Sequence, residues 1–191
     1  MAYINRASAR LSSYFLQGTY QKGNTTLKGL LFGGHEITYQ AWNGIDMETL
    51  RKDRTFNPSG IYTDANGLTQ FHDKEEDNYK QDHAQFHWSE QLKSGWSTQM
   101  AVHFTRGRGY FEQYKEEETD ADYGIGLSEL DPTDLIRRRW LDNRFYGLTG
   151  SAIKTLEKGQ IIVGGAWNKY EGAHFGEVIW AQNMGTADIG D

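Results

Sequence analysis

The chain has 191 residues, enough for one domain or part of a larger one, with 37% hydrophobic residues, 14% aromatic residues and a mean hydropathy of −0.74. An apolar supply held in Tyr, Phe and Trp suits half-buried strands better than a large helical core. The net charge of −6 argues against a nucleic-acid partner, which needs a basic face, and the absence of cysteine excludes disulfides, thiolate zinc sites and a cysteine nucleophile.

The opening "MAYINRASAR" lacks an apolar stretch, so no signal peptide is expected. No window approaches the ~18 apolar residues of a membrane helix, a test that strands crossing a bilayer escape because they alternate. Three short turns then punctuate the chain, near 21–24 in "YQKGN", near 93–95 in "LKSGW" and near 157–159 in "LEKGQ". Each stands between runs rich in β-branched and aromatic residues, as a tight hairpin requires.

The flanking runs are "SARLSSYFLQGTY" with "TTLKGLLFGGHEITYQAW", "NYKQDHAQFHWSEQL" with "WSTQMAVHFTRGRGYFEQY", and "NRFYGLTGSAIKTLE" with "QIIVGGAWNKYEGAHFGEVIWA". They predict an all-β fold, an antiparallel up-and-down meander of six long strands in three hairpins. Long polar loops near 43–77 and 115–134 join the hairpins at the end opposite the tight turns. At ~3.3 Å per residue the run ending at Trp42 reaches on the order of 55 Å, well beyond the ~17–20 Å of an ordinary strand. Such reach suits a membrane barrel, where ~9–11 tilted residues cross the hydrocarbon and the rest stands above it.

Alternation is clearest in the second hairpin. Ala84, Phe86 and Trp88 share a face with Leu92, and Trp96, Met100, Val102 and Phe104 form its continuation, while Gln81, His83, Gln85 and His87 oppose Gln99, Ala101, His103 and Thr105. The consecutive apolar residues Leu30–Phe32 and Ile161–Val163 leave the faces of the first and third hairpins unassigned. Within the loops "DMETLRKDR" predicts a short helix capped by Asp46. "DPTDLIRRRWL" predicts another, with Asp131 as cap and Pro132 at its first position. "IRRRW" itself reads as a solvated helix end or strand mouth.

The stretches "TTLKGLLFGGHEITYQAWNGI", "DRTFNPSGIYTDANG", "DNYKQDHAQFHWSEQL", "HFTRGRGYFEQYK", "DLIRRRWLDNRFYG" and "NKYEGAHFGEVIWA", in this order and spacing, resemble the β-barrel portion of TonB-dependent outer-membrane receptors. The resemblance covers nearly the whole chain. It implies a barrel of about 22 strands around a plug domain, short periplasmic turns at Lys22, Lys93 and Lys158, long extracellular loops, and nutrient uptake powered through the inner-membrane TonB complex. Six strands cannot close such a barrel, and neither plug nor TonB box is recognisable, so the chain is expected to be a central fragment. Its implied partners are the remaining barrel and plug, the lipid bilayer of the outer membrane, a small nutrient ligand and a surface lipoprotein. Alone, it is expected to curl its two edges together or to self-associate through them.

No enzyme, cofactor or metal is expected. His83 and His87 lie four residues, roughly 13 Å, apart on a strand, too far for one ion with ~2.1 Å bonds. A His87–His103 site remains open, but lumen-facing histidines explain the pattern better. "HDKEEDN" and "YKEEETDADYG" read as solvated loops without calcium-loop order. "GLTGSAIKT" lies in a strand rather than at a nucleophile elbow.

The aromatic residues near strand mouths, Tyr39, Trp42, Tyr110, Tyr114, Trp140, Tyr146, Trp167 and Tyr170, read as an interfacial girdle. The competing expectation is a ligand surface of Trp42, Tyr110, Tyr114, Trp140, Trp167 and Tyr170, with Arg106, Arg108 and Arg138 for anionic groups. A soluble antiparallel ligand-binding or adhesion module is the alternative function, and histidine-based metal-dependent hydrolysis a third.

Overall fold

The computed structural model describes residues 3–119, 123 and 132–182. One antiparallel sheet of six strands dominates it: β1 (Ser8–Lys22), β2 (Thr25–Tyr39), β5 (Glu76–Gln91), β6 (Trp96–Glu118), β7 (Thr133–Leu156) and β8 (Gly159–Ala181), hydrogen-bonded in that order. The expected meander and its three tight turns are therefore present. Gly23 turns the first hairpin at φ +58°, where a side chain would be strained, and Ser94 and Gly95 turn the second at φ 65° and 74°.

The strands exceed the sequence expectation at the loop end. β6 runs on to Glu118, and β7 begins at Thr133 rather than near Asn143. The helix expected over "DPTDLIRRRWL" is not formed: from Thr133 the segment is strand, paired to β6 on one side and β8 on the other, while Asp131 lies outside the described residues. Helical capping signals lost here to backbone pairing with a strand on each side, despite a register irregularity in each ladder near Leu135 and Ile136. β2 corrects the expectation the other way, ending at Tyr39 so that Trp42 lies in the connection.

That connection is structured. Asp46 accepts from the Glu48 and Thr49 amides at 2.8 and 2.9 Å and caps α1 (Met47–Lys52), as its sequence predicts. A small hairpin, β3 (Ile61–Thr63) with β4 (Thr69–Phe71), follows. Together residues 40–75 form a cap over the upper ends of β2 and β6. Its core is mostly polar: Gln40, Asn57, Ser59 and Glu75 are buried with Tyr39. The Arg6 guanidinium lies 3.6 Å from the Phe71 ring centre and donates to the Asn57 carbonyl and, at 3.4 Å, to that of Ser59. The Tyr39 hydroxyl donates to the carbonyls of His72 at 2.8 Å and Ser59 at 3.2 Å. Paired donors and acceptors make this burial affordable.

The sheet below the cap is open. Among the described residues β1 and β8 pair only with β2 and β7, so of the two outcomes expected for the edges, curling together is not adopted. β1 is exposed along its whole length and β8 through most of its own.

Register now assigns the faces that the sequence left open, because directly opposed residues point to the same side. One face carries an apolar belt: Tyr14, Leu16 and Tyr20 on β1, Leu27 and Leu31 on β2, Ala84, Phe86 and Trp88 on β5, Met100, Val102 and Phe104 on β6, Tyr146, Leu148 and Ala152 on β7, and Ile161, Val163 and Trp167 on β8. The other face is mostly polar over the same height, with Gln17, Thr19, Lys28, Gln85, His87, Gln99, His103, Thr149 and Asn168, but it also carries Phe15, Leu30 and Ile162.

The belt slants. On β1 it tops out at Tyr14, which lies in the register row of Glu171, yet on β8 it tops out at Trp167. Its lower edge shifts equally, from Tyr20, in the row of Gly165, to Ile161. A shift of four residues, ~13 Å, over five strand spacings, ~24 Å, inclines the belt by roughly 30° to the rows.

Candidate functional site

Above the belt on the same face, rows of charged and then aromatic residues cross β5 to β8. Asp82, Arg106, Arg144 and Glu171 form the first row, and Lys80, Arg108, Asp142 and Ala173 the second. Asn78, Tyr110, Trp140 and Phe175 form the third, and Glu112 pairs with Arg138 above them. Five of the expected site residues, Arg106, Arg108, Tyr110, Arg138 and Trp140, thus lie together.

Their contacts form a ladder. Arg108 stands 5.0 Å from the Trp140 ring centre, Trp140 lies 4.6 Å from Tyr110 and 6.0 Å from Phe175, and Arg138 sits 4.4 Å over Tyr110. The indole N–H of Trp140 donates to Glu177 at 2.8 Å. Guanidinium-on-ring contacts at partly exposed sites contribute about 0.5–1 kcal/mol each.

Arg138 is committed inward. Its Nε donates to buried Glu112 at 2.8 Å, and His72 reaches the other carboxylate oxygen at 3.0 Å, clamping the cap to the sheet. Burial raises the Glu112 pKa, but the hydrogen bonds from His72 and Arg138 outweigh it and hold the carboxyl below the usual range. Glu75 is shifted the opposite way: burial raises its pKa and the Tyr114 amide, 3.1 Å away, only partly compensates.

The other expected residues are dispersed. Tyr114 stacks on Tyr62 at 4.1 Å and donates to Asp134 at 2.7 Å, and burial together with that carboxylate raises its pKa. Trp167 lies in the belt beside Tyr146, 6.1 Å away. Tyr170 is on the polar face opposite Phe145, and Trp42 is exposed in the connection. Of the expected girdle residues, Tyr146 and Trp167 border the belt, whereas Tyr39 is buried under the cap.

A second arrangement lies on the polar face, which sequence reasoning did not single out. A cleft of about 630 Å³ is lined by Asp77, Tyr79, Phe111, Arg137, Arg139 and His174 among others. Tyr79 lies against Gly107 and Gly109, where a Cβ at either glycine would clash with the tyrosine side chain. Arg137 donates to Gln113 and Tyr123 at 2.9 Å each, whereas Arg139 stacks on Phe111 at 5.1 Å. The signal was present in "IRRRW": on a strand its arginines alternate, sending Arg137 and Arg139 to one face and Arg138 to the other.

The histidines of β5 and β6 bond to neutral side chains, His83 to Thr105 at 2.9 Å, His87 to Gln85 at 3.1 Å and His103 to Asn168 at 2.9 Å. Among the described residues no group of three or more His, Cys, Asp or Glu side chains is placed to hold a metal ion. No family model, curated protein or solved structure matches the chain.

Proposed function

We propose that the chain is a wall segment of a transmembrane β-barrel, contributing barrel strands and an external cap to an outer-membrane receptor for TonB-dependent nutrient uptake. The observation that carries this reading is the slanting apolar belt. Measured along β8 from Ile161 to Trp167 it spans roughly 20 Å, and along β6 from Phe104 past Thr98 to the bordering Trp96 roughly 26 Å, against about 25 Å for the lipid-facing band of a barrel. Its slant of roughly 30° approaches the ~35–45° tilt of barrel strands. Tyr20, Trp88 and Trp96 border it toward the tight turns, and Tyr14, Tyr146 and Trp167 border it toward the cap. Such borders suit an interfacial girdle.

On this reading the polar face lines the lumen, and the cleft at Tyr79, Arg139 and His174 is the better candidate for contact with a passing nutrient. The Arg108–Trp140–Tyr110 ladder then stands outside the wall. β1 and β8 pair with the remaining barrel strands, satisfying backbone groups that lipid cannot. A soluble module using the same belt requires a second sheet over it, and among the described residues the only further sheet is β3–β4 at the cap end.

The flanking reading frame tests the receptor assignment. Further alternating strands with an upstream plug and TonB box support it; an isolated frame bounded by unrelated genes sinks it. Deleting the parent gene is then expected to abolish growth on one scarce nutrient.

A further inference from the structure

We propose that Arg106, Arg108 and Arg144 form a binding site for the phosphate of a lipid headgroup, immediately above the apolar belt on its own face. The inference deepens the membrane reading and rests on it.

Three observations carry it. First, like charges are directly opposed across strands: Arg106 faces Arg144 in register, and Lys80 faces Arg108 one row above. Such pairs repel; Asp82 and Glu171 flank the Arg106–Arg144 row and offset part of this, and an anion between the arginines relieves the rest. Opposed Cβ atoms ~4.5–5.5 Å apart leave guanidinium groups free to converge on one tetrahedral anion, whose oxygens accept from their forks.

Second, the internal carboxylates are too few. Lys80 is held by Asp82 at 3.2 Å and Lys169 by Glu171 at 2.6 Å. Arg106 and Arg108 must share one oxygen of Asp142, at 3.5 and 3.6 Å, and Arg144 has no direct ion pair among the described residues. The three arginine side chains are exposed, so this local excess of positive charge faces outward from a chain whose net charge is −6.

Third, the height is right. Arg106 and Arg144 follow Phe104 and Tyr146 by one register row, so the cations begin where the apolar belt ends. That is the level of headgroup phosphates when the belt fills the hydrocarbon. The row is open and continuous with the belt, which suits a lipid fixed in the same bilayer rather than a free solute.

Vesicle partition tests the proposal, using phosphatidylcholine alone and phosphatidylcholine mixed with phosphatidic acid. The chain is expected to bind both, and the mixture more tightly despite its own negative charge. R106Q/R108Q/R144Q is expected to lose that increment, about fivefold for each arginine, while keeping its binding to phosphatidylcholine and its sheet circular dichroism. Should the triple variant misfold, R144Q alone serves, because among the described residues Arg144 makes no direct ion pair, only a longer-range attraction to Glu171 across the strands.

An increment unchanged in the variant overturns the headgroup site and leaves the membrane reading intact. Binding to neither vesicle overturns both. Saturable quenching of Trp140 fluorescence by inorganic phosphate in lipid-free chain, with no gain from phosphatidic acid, assigns the arginines to a free anion and overturns the lipid proposal.

Discussion

The cap and the belt solve burial in opposite ways. In the cap, polar side chains are buried and matched within the chain: Glu112 by Arg138 and His72, Tyr39 by two carbonyls, and Asn57 by the carbonyls of Asn5 and Gln40. In the belt, Phe86, Val102, Phe104, Leu148, Val163 and Trp167 are all exposed, with only the sheet behind them. The chain's accessible surface of 13293 Å² exceeds the ~9300 Å² of a compact monomer of this mass. The cap is completed by its own side chains, whereas the belt presents its apolar side chains outward.

The strongest way to break this contrast is a charge in the belt. Val102→Arg is expected to weaken insertion into bilayers by about 2–4 kcal/mol, the cost of a cation near the midplane. Ala101→Arg, one residue away on the polar face, is expected to be tolerated. Equal behaviour of the two variants in a vesicle partition assay contradicts the assignment of faces.

Much of this contrast was legible in the sequence. The alternation from Ala84 to Phe104 fixed one hairpin's faces outright. Runs such as Leu30–Phe32 and Ile161–Val163 defeated the period-two signal, because apolar residues there occupy both faces, and only register with β5 and β6 separates them. The arginine stretch misled for a different reason: Pro132 and the following residues mimic a helix start, and local propensity cannot register the two neighbouring strands that pair with β7. The polar cap core was invisible because its partners are distant in sequence, Arg6 meeting Asn57 and Glu112 meeting Arg138.

Breaking the cap needs loss of one partner only. Glu112→Gln removes the charge that matches half-buried Arg138 and is expected to cost about 2–3 kcal/mol. Arg6→Ala removes the stacking on Phe71 and the donors to Asn57 and Ser59, at about 2 kcal/mol. Amide hydrogen exchange reads both locally: faster exchange at Gln40 and Ser59, with the β6 and β7 amides of the belt unchanged, is the expected pattern. Uniform acceleration through the sheet denies that cap and belt are separate units.

The two buried carboxyl groups of the cap also titrate in opposite directions. The Glu112 pKa is depressed in the folded chain, so its stabilisation is present above the unfolded value of ~4.3 and is lost as pH falls through the folded one. Glu75 is raised, so its contribution is full below ~4.3 and is lost as pH rises through its folded value. Cap stability is expected to decline on both sides of an optimum. E112Q flattens the acid limb, and E75Q flattens the other with a gain of about 1 kcal/mol or less at neutral pH. A cap transition independent of pH in the parent chain counts against this charge arrangement.

The proposed barrel wall sets one face of the sheet against lipid and the other against water. The chain has no native cysteine, so single-cysteine variants from Gln99 to Phe104 label cleanly. Spin labels at these positions in lipid-reconstituted protein give the most direct measurement. Oxygen accessibility is expected to peak at positions 100, 102 and 104, and a water-soluble nickel relaxant to peak at 99, 101 and 103. Equal exposure of all six positions to the aqueous relaxant contradicts the account.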